Sequence, residues 1–313
     1  MDFIVSSLYE NRLYVFLGYG NGSFAPPIVL NTGAYPMGMV VSDFNGDNYA
    51  DIAVVQAGDD NVGISLGLGD GTFSSQYVFA VGSTPSWVSV GDFNGDQRLD
   101  LLVTNNAANT VSVLLGYGNG SFASQKLSST FIWPAMSVVA DFNHDNLLDF
   151  AVSNYGSDNV SIHQGFGNGT FSLLVSYSTM TSPFALAVGD LNGDQHIDLV
   201  VSNCENGTIS VLLGNGNGTF RAAVHYLARS CAYAVAIGDL NGDTYLDVVA
   251  VGTFSNYFII FLGDGTGSFF ERWYFVTGYI PTSIALYDFN NDGRLDIVTT
   301  YSMGTVSVFL NNC

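Results

Sequence analysis

An acidic nonapeptide, D-x-N-x-D-x-x-x-D, occurs six times in this chain, each copy starting 49 residues after the last. In the first copy Asp43, Asn45, Asp47 and Asp51 put side-chain oxygen at positions 1, 3, 5 and 9 of a tight loop, and Tyr49 at position 7 offers its backbone carbonyl. The same set returns as Asp92, Asn94, Asp96, Arg98 and Asp100, then as Asp141, Asn143, Asp145, Leu147 and Asp149. It returns again as Asp190, Asn192, Asp194, His196 and Asp198, as Asp239, Asn241, Asp243, Tyr245 and Asp247, and as Asp288, Asn290, Asp292, Arg294 and Asp296. Oxygen donors alone, closely spaced, suit a hard cation. One bidentate carboxylate and a water bring the coordination to about seven, which fits Ca2+ and exceeds what Mg2+ accepts. Because the position 7 side chain changes freely from copy to copy, only its carbonyl is a candidate ligand. Position 4 is Gly46, Gly95, Gly193 or Gly242, with His144 and Asn291 in the other two copies, which predicts a left-handed backbone there. The competing reading is that these Asp residues only cap turns through local amides. Six copies on one period favour about six calcium ions, acting as structural ties that stabilise the folded chain.

Charge points the same way. The 313 residues carry 27 acidic and only seven basic side chains, a net charge of −20, and each loop holds three Asp. Six bound divalent ions would bring the net charge to about −8. Without them three carboxylates in each loop repel at close range. So acidic a surface repels phosphate backbones and anionic lipid, which excludes nucleic acid as a partner. No apolar run reaches the length of a membrane span, so no membrane insertion is expected. The opening residues Met1–Val5 align with Ala50–Val54, which reads as a chain that starts inside a repeat and is a fragment of a longer protein.

The elements that must hold these loops are strands. Each 49-residue unit has four short runs rich in Val, Ile, Leu, Tyr and Phe, in the second unit Trp87–Gly91, Leu101–Thr104, Val111–Leu115 and Phe122–Ser128. An Asn-rich turn (Asn105–Asn109), a Gly-Asn-Gly hairpin (Gly118–Gly120) and a Pro-containing link (Ser83–Pro85) join them. No segment has a helical period. Small residues at Ser42, Gly91, Ala140, Gly189 and Gly238 mark one crowded face of the first strand, as expected where sheets converge on an axis. The fold class is therefore all-β: a β-propeller of four-stranded antiparallel blades spanning residues 1–313 as one domain. The acidic loop occurs six times but the second and third strands seven times, beginning with Phe3–Ser6 and Leu13–Leu17. Seven blades with an incomplete first and last is the expectation, six blades the alternative.

The combination of strand, DxNxDxxxD loop, strand, a VSVLLGxGNGSF-like hairpin and a Pro-containing return resembles the FG-GAP/VCBS repeat family, which forms the propeller of integrin α-subunits and several propeller lectins. The resemblance covers essentially the whole chain and implies calcium held between the first two strands of a blade. It implies an extracellular recognition or adhesion module that binds protein, with a lectin-like glycan binder as the alternative. A polysaccharide lyase or its accessory propeller is a weaker third reading.

Chain direction puts the acidic loops and Gly-Asn-Gly hairpins on one face of the disc, and the Asn-rich turns and Pro links on the other. That second face carries Tyr35, Trp87, Trp133, Phe184, Tyr233, Tyr279 and Ile280. They either form a surface for a protein or glycan ligand or fill gaps between blades. Cys204 and Cys231 fall on this face, as a disulfide of an oxidising compartment or as two buried thiols; Cys313 has no evident partner. Sequons at Asn21, Asn119, Asn159, Asn168, Asn206 and Asn217 read as glycosylation of a secreted protein, with Asn21, Asn119, Asn168 and Asn217 reading alternatively as Asn-Gly hairpin turns followed by a hydroxyl residue. His144, His163, His196 and His225 stand at non-equivalent positions and form no nucleophile motif, so the chain reads as a non-enzyme.

Overall fold

In a computed structural model the chain folds into seven antiparallel sheets, one for each 49-residue repeat and two partial ones. Residues 1–312 are described, apart from the side chains of Glu271 and Arg272; Cys313 lies outside the described residues. Blade 1 consists of β1 (Phe3–Ser7), β2 (Arg12–Phe16) and β3 (Ile28–Asn31). Blade 2 has β4 (Pro36–Ser42), β5 (Asp51–Gln56), β6 (Asn61–Ser65) and β7 (Tyr77–Ala80), and blade 3 has β8 (Pro85–Gly91), β9 (Asp100–Asn105), β10 (Thr110–Leu114) and β11 (Lys126–Ser129). Blade 4 has β12 (Pro134–Ala140), β13 (Asp149–Asn154), β14 (Asn159–Gly165) and β15 (Phe171–Ser178). Blade 5 has β16 (Pro183–Gly189), β17 (Asp198–Asn203), β18 (Thr208–Leu212) and β19 (Val224–Leu227). Blade 6 has β20 (Ala232–Gly238), β21 (Asp247–Gly252), β22 (Tyr257–Gly263) and β23 (Phe269–Val276). Blade 7 ends the ring with β24 (Pro281–Tyr287), β25 (Asp296–Tyr301) and β26 (Val306–Phe309). Strands follow chain order in every sheet, so blade 1 lacks the innermost strand and blade 7 the outermost. Seven blades, not six, is the architecture.

The second strand of each full blade is buried along its whole length. A strand covered on both faces needs no alternation, which is why Ile52–Val55 and Leu101–Val103 are continuous apolar runs. The small residues of the first strand answer to the next blade: a Cβ on Gly91 would lie 2.6 Å from Leu148, and one on Gly238 would lie 2.5 Å from Leu295. Inner strands also share bonds, as Ser89 Oγ lies 2.9 Å from both the carbonyl and Oγ of Ser137. One expected boundary moves. The run Phe122–Ser128 joins the ladder only at Lys126, because Phe122 leaves it after a single bridge to Gly116 and turns inward against Phe44 and Phe79.

Recurring contacts on both faces join most neighbouring blades. On the loop face, a hairpin glycine donates to the carbonyl at position 2 of the preceding blade's acidic loop: Gly120 to Phe44 (3.0 Å), Gly169 to Phe93 (2.8 Å), Gly218 to Phe142 (2.8 Å) and Gly267 to Leu191 (3.1 Å). Gly22 of blade 1 donates to Phe289 of blade 7 in the same way at 3.1 Å, and Phe24 packs edge-on against Phe289 as Phe122 does against Phe44. The ring is closed by the contact that joins its interior blades. Between blades 6 and 7 the Asn311 side chain takes over, donating to Leu240 at 2.7 Å.

On the other face the residue ahead of the blade's first strand is held in a left-handed conformation, with φ of 55° at Tyr35, 51° at Thr84, 54° at Trp133, 59° at Ser182 and 52° at Ile280. Each of these precedes a proline, a position that normally stays extended. The strain is held by the previous blade, where Asn11, Asp60, Asn109, Asp158 and Asn256 accept these five N–H groups at 2.7 to 3.1 Å. The joint into blade 6 breaks the rule twice. Gly207 replaces the Asn or Asp, and Ala232 replaces the proline. At this joint Cys204 and Cys231 form a disulfide, which substitutes a covalent tie for both missing features.

Candidate metal centres and the opposite face

Each acidic loop links the first two strands of its blade, and its Asp residues bond first to their own backbone. Asp43 Oδ1 accepts from the N–H groups of Asn45, Gly46 and Asp47, and Oδ2 accepts from Asn48. Asn45 Oδ1 accepts from Asp47 N–H and its Nδ2 donates to Asp47 Oδ2, while Asp47 Oδ1 accepts from Tyr49 N–H. The chain can wrap around Asp43 because position 4 is left-handed, as its residues predict: φ is 77° at Gly46, 60° at His144 and 59° at Asn291. Position 6 is left-handed too, at Asn48, Gln97, Asn146, Gln195, Thr244 and Gly293. Sequence reasoning missed this requirement, and Gly293 was the one residue that signalled it. It exists because position 6 must aim its N–H back at Asp43 Oδ2, or its equivalent.

Position 9 does something different. Asp51 is buried and bridges two segments: Oδ2 accepts from Phe44 N–H and Oδ1 from Gly67 N–H, both at 2.8 Å. Asp100, Asp149, Asp198 and Asp247 repeat the bridge to Gly116, Gly165, Gly214 and Gly263, and Asp296 makes it to Asn311. This residue fastens the loop to the end of the third strand. Burial raises the pKa of Asp51, Asp100, Asp149, Asp198 and Asp247, and the two other loop carboxylates push it further up; Asp149 reaches about 6. Asp43 goes the other way. Desolvation opposes its charge, but its four backbone bonds outweigh this and lower its pKa.

The donor chemistry fits a hard cation. A carboxylate offers about four acceptor sites; Asp47 and Asp51 each use two on the protein, whereas Asp43 uses all four. Two loops contain an ion pair among the described residues: Arg98 Nη2 lies 2.6 Å from Asp96 Oδ2, and Arg294 Nη2 3.1 Å from Asp292 Oδ2. The Asp residues of the other four loops have no ion pair among the described residues. No three His, Cys, Asp or Glu side chains among the described residues are already turned onto a common point, so a cation would have to draw the Asp47-type carboxylate away from Asn45. Each position 7 residue contributes to its loop through its N–H to position 5, and the Arg98 and Arg294 side chains also turn back onto that position's carboxylate.

The hairpin sequons have a structural reason. Asn21, Asn119, Asn168 and Asn217 accept from both the N–H and the hydroxyl of the Ser or Thr two residues on. Asp70 makes the same pair of bonds to Thr72 where no sequon exists. The turn alone therefore accounts for these residues.

On the opposite face the aromatic residues divide. Trp87 packs on Gly38, and Phe184 stacks on Tyr233 at 4.1 Å, both between inner strands. Tyr35, Trp133 and Tyr279 are at least half exposed. Trp133, Tyr155, Phe184, Ala135 and Asn106 line a cleft of about 240 Å³. No helix among the described residues is long and apolar enough to cross a membrane.

Several solved structures share the fold. A putative 6-phosphogluconolactonase from Bacteroides uniformis superposes with a TM-score of 0.73 at 14% identity, over 95% of this chain and 87% of that one. BBS1N in complex with ARL6DN gives 0.69 at 11% identity, over 98% and 87%. An Agrocybe aegerita lectin that recognises non-reducing terminal N-acetylglucosamine gives 0.61 at 18% identity, over 100% and 85%. No curated protein matches the sequence. The FG-GAP-like repeat matches residues 1–54, 43–103, 92–152, 141–201, 190–250 and 239–299, and the chain accordingly belongs to the FG-GAP repeat family.

Proposed function

We propose that this protein is a calcium-stabilised, extracellular recognition propeller without catalytic activity that binds a protein partner on the face opposite its acidic loops. The observation that carries the calcium reading is the repetition of one three-carboxylate loop in six blades, four of them without an ion pair among the described residues. The side chains at positions 1, 3, 5 and 9 of each loop, with the position 7 carbonyl, would hold the ion. Bound calcium would neutralise the carboxylate repulsion that adds to burial in raising the position 9 pKa. The disulfide supports an oxidising compartment.

The choice of face rests on asymmetry. The loop face repeats blade by blade, whereas the opposite face varies and carries an aromatic cleft at Trp133, Tyr155 and Phe184. A propeller lectin would be expected to repeat its pocket around the ring, so the variation of this face from blade to blade favours one protein partner. The glycan reading keeps some support from the lectin with the same fold and from the suitability of aromatic rings for stacking on sugars.

Melting the purified chain with Ca2+, Mg2+ or chelator tests the first half. A rise specific to Ca2+, with about six ions bound by titration, is the expected outcome; a melt indifferent to all three would reject it. A glycan array probed with the wild type and W133A tests the second half. Glycan binding that disappears in W133A would replace the protein-binding reading with the lectin one.

A further inference from the structure

We propose that the His144 and His196 side chains, which the calcium reading of their loops does not use, form a transition-metal site, selective for Cu2+ and Ni2+, that bridges blades 4 and 5. His144 Nε2 and His196 Nδ1 lie 2.9 Å apart, with their rings tilted by 54°. Metal–nitrogen bonds of about 2.0–2.1 Å at a right angle place two nitrogens roughly 2.9 Å apart, the spacing observed here. Right-angled nitrogen and oxygen ligation is the preference of Cu2+ and Ni2+, whereas tetrahedral Zn2+ wants a wider bite.

The sequence context shows how unusual the pair is. In this pair position 4 of one loop meets position 7 of the next around the ring. The equivalent pairs are Gly46 with Arg98, Gly95 with Leu147, Gly193 with Tyr245 and Gly242 with Arg294. Imidazoles meet only here. His144 holds a φ of 60°, where four of the other loops use glycine, so it occupies a backbone conformation costly for a side chain. Both rings are accessible. Position 7 serves its own loop through the backbone, which leaves the His196 ring available.

As they stand, one ring donates a proton to the other. Metal binding needs both facing nitrogens bare, so the donor ring moves its proton to its other nitrogen and no net proton is released. Two protein ligands leave the remaining positions to water, because no third His, Cys, Asp or Glu is grouped with the pair among the described residues. The bound ion would tie blade 4 to blade 5 and present an open coordination position on the loop face.

The test is Cu2+ titration of the full chain in excess Ca2+, read by calorimetry and electron paramagnetic resonance. The control variants are H144G and H196Y, each carrying the residue that other loops use at that position. One Cu2+ per chain with hyperfine coupling to two imidazole nitrogens is expected, with at least about a tenfold loss of affinity in either variant. Their melting temperatures in Ca2+ should not fall below the wild-type value, which shows that both are folded, and H144G should melt slightly higher because glycine relieves the left-handed backbone. Unchanged affinity in H144G, two-nitrogen coupling that survives in the double variant, or oxygen-only coordination would each overturn the proposal.

Discussion

Replacing Asp100 with alanine separates the fastening role of position 9 from any role in holding metal. The buried carboxylate accepts from Phe93 N–H at 2.8 Å and from Gly116 N–H at 2.7 Å. Two hydrogen bonds to a charged group contribute about 1.5–3 kcal/mol each, and their loss strands two buried donors. Burial and the charges of Asp96 and Asp92 already penalise this carboxylate, which offsets part of the loss. A net cost of roughly 3–5 kcal/mol follows, equivalent to about 5–10 °C in melting temperature for a domain of this size. Asp96→Ala is the partner measurement. Its bonds are local and its pair with Arg98 is exposed, so it costs at most about 1 kcal/mol. Scanning calorimetry in chelator should therefore separate the two variants widely. In Ca2+ at a hundredfold excess over Kd, both also lose one site's contribution of about 2.7 kcal/mol, so D96A moves away from the wild type only when calcium is present. A D100A melt in chelator within a degree or so of the wild type would refute the fastening argument. So would equal losses in the two variants.

Other predictions follow from the same geometry. In chelator, stability should fall as pH rises from about 4 to 6, because the raised position 9 pKa values mean that the folded state binds more protons than the unfolded one in that window; carboxylates with lowered pKa, such as Asp43, act only below pH 4. Calcium should reverse that slope, and calorimetry across pH reads both. Thr244→Gly should stabilise by about 1 kcal/mol, since a β-branched residue at φ 75° is strained, and chemical denaturation measures it. Reducing the disulfide, which spans 27 residues, should cost about 3 kcal/mol. Adding A232P to a C204A/C231A variant should recover part of that loss, because the other joints place proline there, while Gly207 is kept because a Cβ on it would lie 2.9 Å from the Ser230 backbone nitrogen; no recovery would show that the disulfide does not stand in for the proline.

Most of the architecture could be read from the sequence because the period is strict. Six loops, seven copies of the middle strands and a small residue on five of the six inner strands, Tyr287 being the exception, specify blades, their number and the crowded axis. The left-handed position 4 could be read because glycine marks it in four loops, while position 6 was hidden behind Asn, Gln and Thr, which adopt that conformation only because Asp43 and its equivalents reward it. What position 9 does was also hidden. Aspartate is the expected residue for a ligand and for an amide bridge alike, and its partner Gly67 is sixteen residues away. The cleft at Trp133 and the meeting of His144 with His196 arise between blades, where one-dimensional spacing gives no guide.

The seam between blades 7 and 1 has a consequence for how the molecule comes apart. In an open array of repeats the terminal units fray first, and damage spreads inward one neighbour at a time. Here Gly22 grips Phe289 as Gly120 grips Phe44, so every blade has two neighbours and unfolding any one of them breaks two joints at once. Local opening is costly everywhere, and the ring behaves as one cooperative unit. Its weakest point is the seam, where two three-stranded blades meet, and amide hydrogen exchange should find its earliest sub-global opening there.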